Sequence, residues 1–213
     1  LESGKIINLM KSKIYSIVGD ASFRKFYRLV LNNKSRKTRR VVALANKEKY
    51  KNIVAYSAIN KFLRDNRIFT PKVFEQDHKK GLMVMEDFGD LTYHKILLKE
   101  KNKLPIYKKL VDLLLKIQKI QPKKKVRAMT NKVHSINKYS TKYLHQESDL
   151  FFDWYLSLFL NQKKVLRIKK NMKKILSKLY SKLNFPNSYF VHRDYHVLNL
   201  MKVGNRIGVI DCQ

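Results

Sequence analysis

The sequence predicts an α+β fold: a small antiparallel sheet carrying one helix, then a mostly helical part that ends in a strand and a short hairpin. Three observations carry this expectation. Short β-rich runs fill the first half, and apolar residues at helical spacing fill most of the second. No internal repeat and no long Gly/Ser/Pro linker interrupts the 213 residues.

In order, Lys13–Val18 and Phe23–Leu31 read as strands around the tight sequence Gly19-Asp20-Ala21-Ser22. The polar run Asn32–Arg40 reads as a solvated hairpin loop before an apolar strand, Val41–Ala45. A helix over Glu48–Asn66 follows, with Ile53, Tyr56, Ile59, Phe62 and Leu63 on its apolar face. Pro71 closes the connection, and Val73–Glu75 and Leu82–Met85 read as strands joined by the turn Asp77–Gly81.

Beyond a boundary near Glu86–Asp90, Leu104–Ile120 reads as a helix with Pro105 in its first turn. Its apolar surface is wide enough to predict a central position. Thr141–Leu160 carries the aromatic cluster Phe151-Phe152-Asp153-Trp154-Tyr155, and Val165–Leu183 has an apolar stripe opposed by lysines, read as a core-packed helix with a solvated face. Tyr189–His192 reads as a strand, and Leu200–Val203 with Arg206–Ile210 as a hairpin turning at Gly204-Asn205.

Composition sets bounds. A hydrophobic share of 44% and an aromatic share of 11% exclude a disordered tail, because such a chain can bury enough apolar surface to fold. Six glycines and four prolines exclude a collagen-like chain. A lone cysteine, Cys212, excludes a disulfide framework and a Cys-rich zinc site, so a reducing compartment, the cytoplasm, is expected. No apolar run approaches the ~20 residues of a membrane span, and no secretory signal pattern stands at the start.

The formal charge of +31 suits a nucleic-acid or anionic-membrane binder. However, it comes from 36 lysines against 11 arginines spread over almost every segment, alongside abundant Asn, Ile and Tyr. All of these have AT-rich codons, so composition bias is the simpler reading and a polyanion surface the alternative.

The densest chemistry is His192-Arg193-Asp194-Tyr195-His196-Val197-Leu198-Asn199, followed by Val209-Ile210-Asp211. Phosphoryl transfer from a nucleotide needs such a set. One carboxylate orients the attacking hydroxyl and takes its proton, while an amide and a second carboxylate hold Mg²⁺ against the phosphate oxygens. Two other readings stand beside this one. His192-x-Asp194-x-His196 could hold a transition metal, although a helical zinc motif with its Glu is missing. A polar loop could also contain these residues by chance, with His192 a core histidine.

HRDYHVLNLM and IGVIDCQ resemble the catalytic loop and metal-binding strand of the aminoglycoside phosphotransferase-like kinases. GDASFRKFYRL resembles more closely the bacterial N-acetylmuramate/N-acetylglucosamine-1-kinase branch, as do LMVMEDFGD and LFFDWYL. These blocks occur in family order over residues 19–213. The resemblance implies a protein-kinase-like two-lobed fold, with residues 1–87 as the ATP-binding lobe. Residues 88–213 would form a helical lobe carrying the catalytic loop, incomplete at its C-terminus. It makes Asp194 the catalytic aspartate and Asn199 and Asp211 the Mg²⁺ ligands. Asp20, Ala21 and Ser22 would turn over the phosphates, and backbone groups of Glu86, Asp87 and Phe88 would bind adenine.

The implied activity is transfer of the γ-phosphate of ATP to a hydroxyl of a small molecule, a sugar or amino sugar. The alternative is a catalytically impaired, kinase-like binder of nucleic acid or another polyanion. A protein kinase is less consistent with His196 in the loop and with the absence of a Gly-x-Gly-x-x-Gly sequence. Three departures from the family pattern stand out. Val41–Ala45 has no lysine for the α/β-phosphates, so that either Lys47 or Lys49 reaches over, with Glu48 the candidate partnering acid, or the contact is absent; Cys212 replaces a larger apolar residue; and the sequence stops at Gln213 where relatives continue. The sequence is therefore expected to be part of a longer chain, with fusion to an upstream domain possible. Alone, it is expected to expose the apolar faces of Leu104–Ile120 and Phe151–Leu160.

Overall fold

A computed structural model describes residues 12–17, 24–33, 36–45, 50–184 and 188–212. Five strands form an antiparallel sheet in the order β1-β2-β3-β5-β4. They are β1 (Ser12–Ile17), β2 (Arg24–Asn33), β3 (Arg36–Ala45), β4 (Val73–Asp77) and β5 (Leu82–Glu86). The expected loop over 32–40 is mostly strand, because β2 and β3 stay paired out to Asn33 opposite Arg36. Cross-strand backbone bonds satisfy these amides whatever the polarity of the side chains, so a polar sequence did not mark a loop.

Helix α1 (Tyr50–Asp65) covers the sheet and serves two cores. Ile53 and Tyr56 pack with Val41, Ala43, Val73, Met83 and Met85. One to two turns later Ile59, Phe62 and Leu63 enter a second core with Leu110, Ile117, Val126, Phe190, Leu200, Val209 and Cys212. The continuity of one apolar face thus joins α1 to the core that also holds Leu200 of β8 (Leu200–Val203) and Val209 of β9 (Arg206–Val209).

Between these parts run α2 (Tyr93–Lys99), α3 (Leu104–Gln118) and a two-stranded β6 (Lys125–Arg127)–β7 (Val133–Ser135) ribbon. The first and the last were not expected. Helix α2 is one short segment whose start is set by Thr92, whose hydroxyl accepts from the Lys95 amide at 3.2 Å. The strand expected over Tyr189–His192 does not form: that stretch bends at Tyr189 and has no ladder partner among the described residues, although Phe190 and His192 are buried. Helix α3 is not central either. Leu110 and Ile117, one heptad apart, face the core, whereas Leu104, Tyr107, Val111 and Leu115 are exposed.

Residues 1–136 with 189–213 make one compact unit and residues 137–188 another. The second contains α4 (Thr141–Leu150), a π-helical turn over Phe151–Tyr155, a 3₁₀ turn over Leu156–Leu158, and α5 (Gln162–Tyr180). Lys169 pairs with Asp153 at 2.7 Å and Lys173 with Asp149 at 2.8 Å, so two lysines of α5 turn inward within this unit. The apolar stripe expected to be buried is largely open: Val165 is covered, but Met172, Ile175, Leu179 and Leu183 are exposed. Phe151, Trp154, Tyr155, Leu158 and Phe159 are exposed as well.

Candidate active site

The loop between Phe190 and β8 is built around two anchors. His192 is buried with its ring edge-on to Tyr195, centroids 5.9 Å apart. Burial lowers its pKa, so it stands as a neutral core ring. The Tyr195 hydroxyl donates to the Leu110 carbonyl at 2.7 Å, tying the loop to α3. The His94 amide donates to Val197 O at 3.0 Å, tying it to α2. His192 thus packs as a core ring. Among the described residues no three His, Cys, Asp or Glu side chains gather to hold a metal.

Between these anchors the polar side chains find one another. Asn199 Nδ2 donates to the Asp194 carboxylate at 2.8 Å and to the Asp194 carbonyl at 3.1 Å. His196 lies 3.1 Å from the other Asp194 oxygen through Nε2, while its Nδ1 accepts from the Leu198 amide at 3.3 Å. With Nδ1 an acceptor, the proton belongs on Nε2 and is donated to Asp194.

The hairpin brings in the second carboxylate. The Ile210 amide donates to the Asn199 carbonyl at 3.0 Å, which sets Asp211 immediately beside Asn199. The Val209 amide donates to Phe69 O and the Lys202 amide to Leu91 O, both at 2.8 Å, so the hairpin is held from two sides. Asp211 has φ 54°, in the left-handed region, where non-glycine residues persist only when their surroundings hold them. Its holder is Arg24 at the start of β2, ion-paired with Asp211 Oδ1. The Arg24 side chain is 6% exposed, with its guanidinium 5.1 Å from the Tyr56 ring centroid and 5.8 Å from that of Phe26.

Magnesium takes hard oxygen ligands and retains waters. The Asn199 bonds above use its amide nitrogen, so its oxygen is the acceptor end, and Asp211 supplies a carboxylate. That all-oxygen pair fits Mg²⁺. The neighbouring Cys212 does not join it: its thiol is buried, and burial together with the Asp211 charge raises its pKa, which keeps it protonated and inert.

At the end of β5 the acidic residues have structural partners. The Asp87 carboxylate accepts from Arg28 Nε at 2.6 Å, Arg28 Nη2 at 3.0 Å and the Gly89 amide at 2.8 Å. Asp90 takes the rest of the same guanidinium at 2.9 Å. Glu86 accepts from the Lys72 amide at 3.1 Å, and its own amide donates to Lys72 O at 2.8 Å. The Phe88 ring packs on Phe69, centroids 4.7 Å apart, and over Gly208, where a Cβ would stand 2.5 Å from it.

Asp194, Asn199 and Asp211 thus come together, and Glu86, Asp87 and Phe88 lie in one connected segment. Asp20, Ala21, Ser22, the candidate lysines Lys47 and Lys49 and the candidate partnering acid Glu48 fall outside the described residues. Sequence reasoning missed Arg24 and Arg28. Their signal was two arginines four apart, on one face of a strand that also carries Phe26, Tyr27, Leu29, Val30 and Leu31, where a partly buried charge needs a partner.

The sequence profile of the phosphotransferase enzyme family matches residues 13–213. The chain belongs to that family. Relatives named N-acetylmuramate/N-acetylglucosamine kinase include one from Neisseria meningitidis serogroup B, 22% identical over 194 residues, covering 91% of this chain and 54% of the relative. One from Pseudomonas aeruginosa is 26% identical over 194 residues, covering 91% of this chain and 53% of the relative. The chain spans about half the length of the curated relatives it matches. Among solved structures, choline kinase from Cryptosporidium parvum Iowa II superposes with a TM-score of 0.56 at 13% identity, covering 97% of this chain and 59% of that one. APH(2")-IIa in a ternary complex with streptomycin and ATP superposes with a TM-score of 0.55 at 15% identity, covering 93% and 64%. The α+β, protein-kinase-like fold expected from the sequence is the fold this chain shares with these structures.

Proposed function

We propose that the protein transfers the γ-phosphate of ATP to a hydroxyl of a small molecule, an amino sugar of the N-acetylmuramate or N-acetylglucosamine type. The observation that carries the reading is the Asp194–Asn199 pair at 2.8 Å beside Asp211. Family membership supports the reaction class, and the names of the relatives support the acceptor.

In this reading Asp194 orients the acceptor hydroxyl and receives its proton. The hydroxyl oxygen bonds to the γ-phosphorus, the bond from that phosphorus to the β–γ bridging oxygen breaks, and ADP leaves. Asn199 and His196 donate to Asp194 and keep its carboxylate aimed while it does so. Asn199 and Asp211 would hold Mg²⁺, which neutralises phosphate charge. Asp20, Ala21 and Ser22 would cover the phosphates with backbone amides, and the backbone of Glu86, Asp87 and Phe88 would receive adenine. Residues 1–87 would then be the nucleotide lobe and 88–213 the catalytic one, working on the ATP of the cytoplasm. Most of the acceleration comes from positioning and charge neutralisation.

The +31 charge favours a second reading, a polyanion binder on the same fold. Thermal melting of the full-length protein separates the two, since a ligand that binds only the folded state raises stability with its concentration. A Mg²⁺-dependent ATP shift lost in Asp211→Ala, followed by phosphorylation of N-acetylmuramate or N-acetylglucosamine, is the expected result. A salt-sensitive heparin shift with no response to ATP would replace the kinase reading with the binder.

A further inference from the structure

The ladder of β5 ends at Glu86, opposite Arg40, and the chain next meets a strand at Thr92, bridged to Met201 of β8. Between these points the chain crosses from the sheet to the hairpin that follows Asn199, with no strand of its own. Backbone outside a ladder keeps one shape only when other groups hold it, because freedom to move is favoured by entropy.

Arg28 is the group that holds it. Its guanidinium makes four bonds of 2.6 to 3.0 Å, two to the Asp87 carboxylate and two to that of Asp90. A planar fork that grips two carboxylates fixes their separation, which a single ammonium does not. Asp87 also takes the Gly89 amide at 2.8 Å, and Gly89 has φ 81°, a left-handed turn. The bracket therefore closes around Phe88, whose ring rests on Phe69. Its Asp87 end is buried, where salt screens an ion pair least.

The position on β2 agrees. Alternate residues of a strand share a face, so Arg24, Phe26 and Arg28 form one row. Arg24 meets Asp211 at one end, and Arg28 meets Asp87 about 13 Å further along by the usual rise per residue. The row thus runs from the carboxylate assigned to the metal to the segment assigned to adenine.

Resting on the kinase reading, we propose that Arg28 is a positioning residue for the nucleotide base: by bridging Asp87 and Asp90 it holds the β5–α2 connection in the shape that receives adenine. A segment ordered in advance spares the nucleotide the cost of ordering it.

Calorimetry on the full-length protein compares adenosine, which has a base and no phosphates, with Mg-ATP. Arg28→Lys keeps a cation beside buried Asp87 but cannot bracket both carboxylates. It is expected to weaken both ligands by a similar factor, about five- to thirtyfold, the cost of ordering roughly one backbone residue. A merely structural role would instead lower the number of sites per chain and leave the affinity of each unchanged. Equal adenosine affinity in Arg28→Lys and wild type overturns the inference while the kinase reading stands, and so does a loss confined to Mg-ATP. Wild type that takes Mg-ATP but not adenosine overturns it too. No Mg-ATP binding by wild type overturns both readings. Should Arg28→Lys fail to fold, Asp90→Ala decides, since Asp90 is exposed and its loss opens the bracket without stranding Asp87. A smaller loss for both ligands is expected there, and unchanged adenosine affinity rejects the role.

Discussion

Asn199 reaches back five residues and donates to both the carboxylate and the backbone carbonyl of Asp194, at 2.8 and 3.1 Å. One amide group thus fixes the loop's backbone and aims its acid. Asn199→Ala removes both bonds and also the oxygen assigned to the metal. Turnover is expected to fall, and the Mg²⁺ concentration for half-maximal rate to rise. An unchanged Mg²⁺ dependence, read from initial rates against Mg²⁺, would leave Asn199 as a loop brace alone.

Asp194→Asn keeps the shape of the side chain and removes its ability to take a proton. The rate constant is expected to drop by about 10²–10⁴, the usual contribution of a positioned base, with Mg-ATP affinity largely kept. Turnover and calorimetry on the same preparation check this. Retained turnover would take Asp194 out of its role.

Gly208 exists because Phe88 lies on it. A Cβ there would come 2.5 Å from the ring, so Gly208→Ala is expected to destabilise by about 1–3 kcal/mol, the range of overpacking. Phe88→Leu in the same chain should recover part of that loss, and a double-mutant cycle of urea midpoints measures the coupling. Additive effects would mean the contact is not what excludes a side chain at 208.

Arg28 spans Asp87 and Asp90, and Asp87 is almost fully buried, with 3% of its side chain exposed. Arg28→Ala strands a buried carboxylate, and a loss of about 3–5 kcal/mol is expected. Removing one partner of a buried pair costs more than the pair contributes, so Arg28→Ala with Asp87→Asn should be less damaging than Arg28→Ala alone. Chemical denaturation of the three variants checks the order.

Burial depresses the pKa of His192 below its ordinary value of 6.5. Below 6.5 the unfolded chain binds a proton that the folded protein refuses until its own lower pKa is reached. Stability is therefore lost as pH falls from 6.5 toward that folded value. His78 and His134 are depressed in the same direction, so His192→Phe should flatten the slope in part and not abolish it. Urea midpoints from pH 7 to 5 measure the slope, and an unaltered slope would show that folding leaves the His192 pKa unshifted.

The sequence by itself determined what local physics can encode. The periodicity of Ile53, Tyr56, Ile59 and Phe62 specified α1, and the Gly204-Asn205 turn between apolar runs specified the β8–β9 hairpin. Asp194 and Asn199, five residues apart in one loop, make their contact locally, which is why their spacing could be read from the sequence. Tertiary structure decided what depends on distant partners. Whether the apolar faces of α3 and α5 are covered is set by what lies opposite them, and periodicity reports amphipathicity without naming the partner. The Arg24–Asp211 ion pair joins residues 187 apart in the chain, and no pattern in either neighbourhood reveals the other. Only folding brings Arg24 on β2 to the carboxylate after β9, because burying its guanidinium to 6% exposure favours an anion beside it.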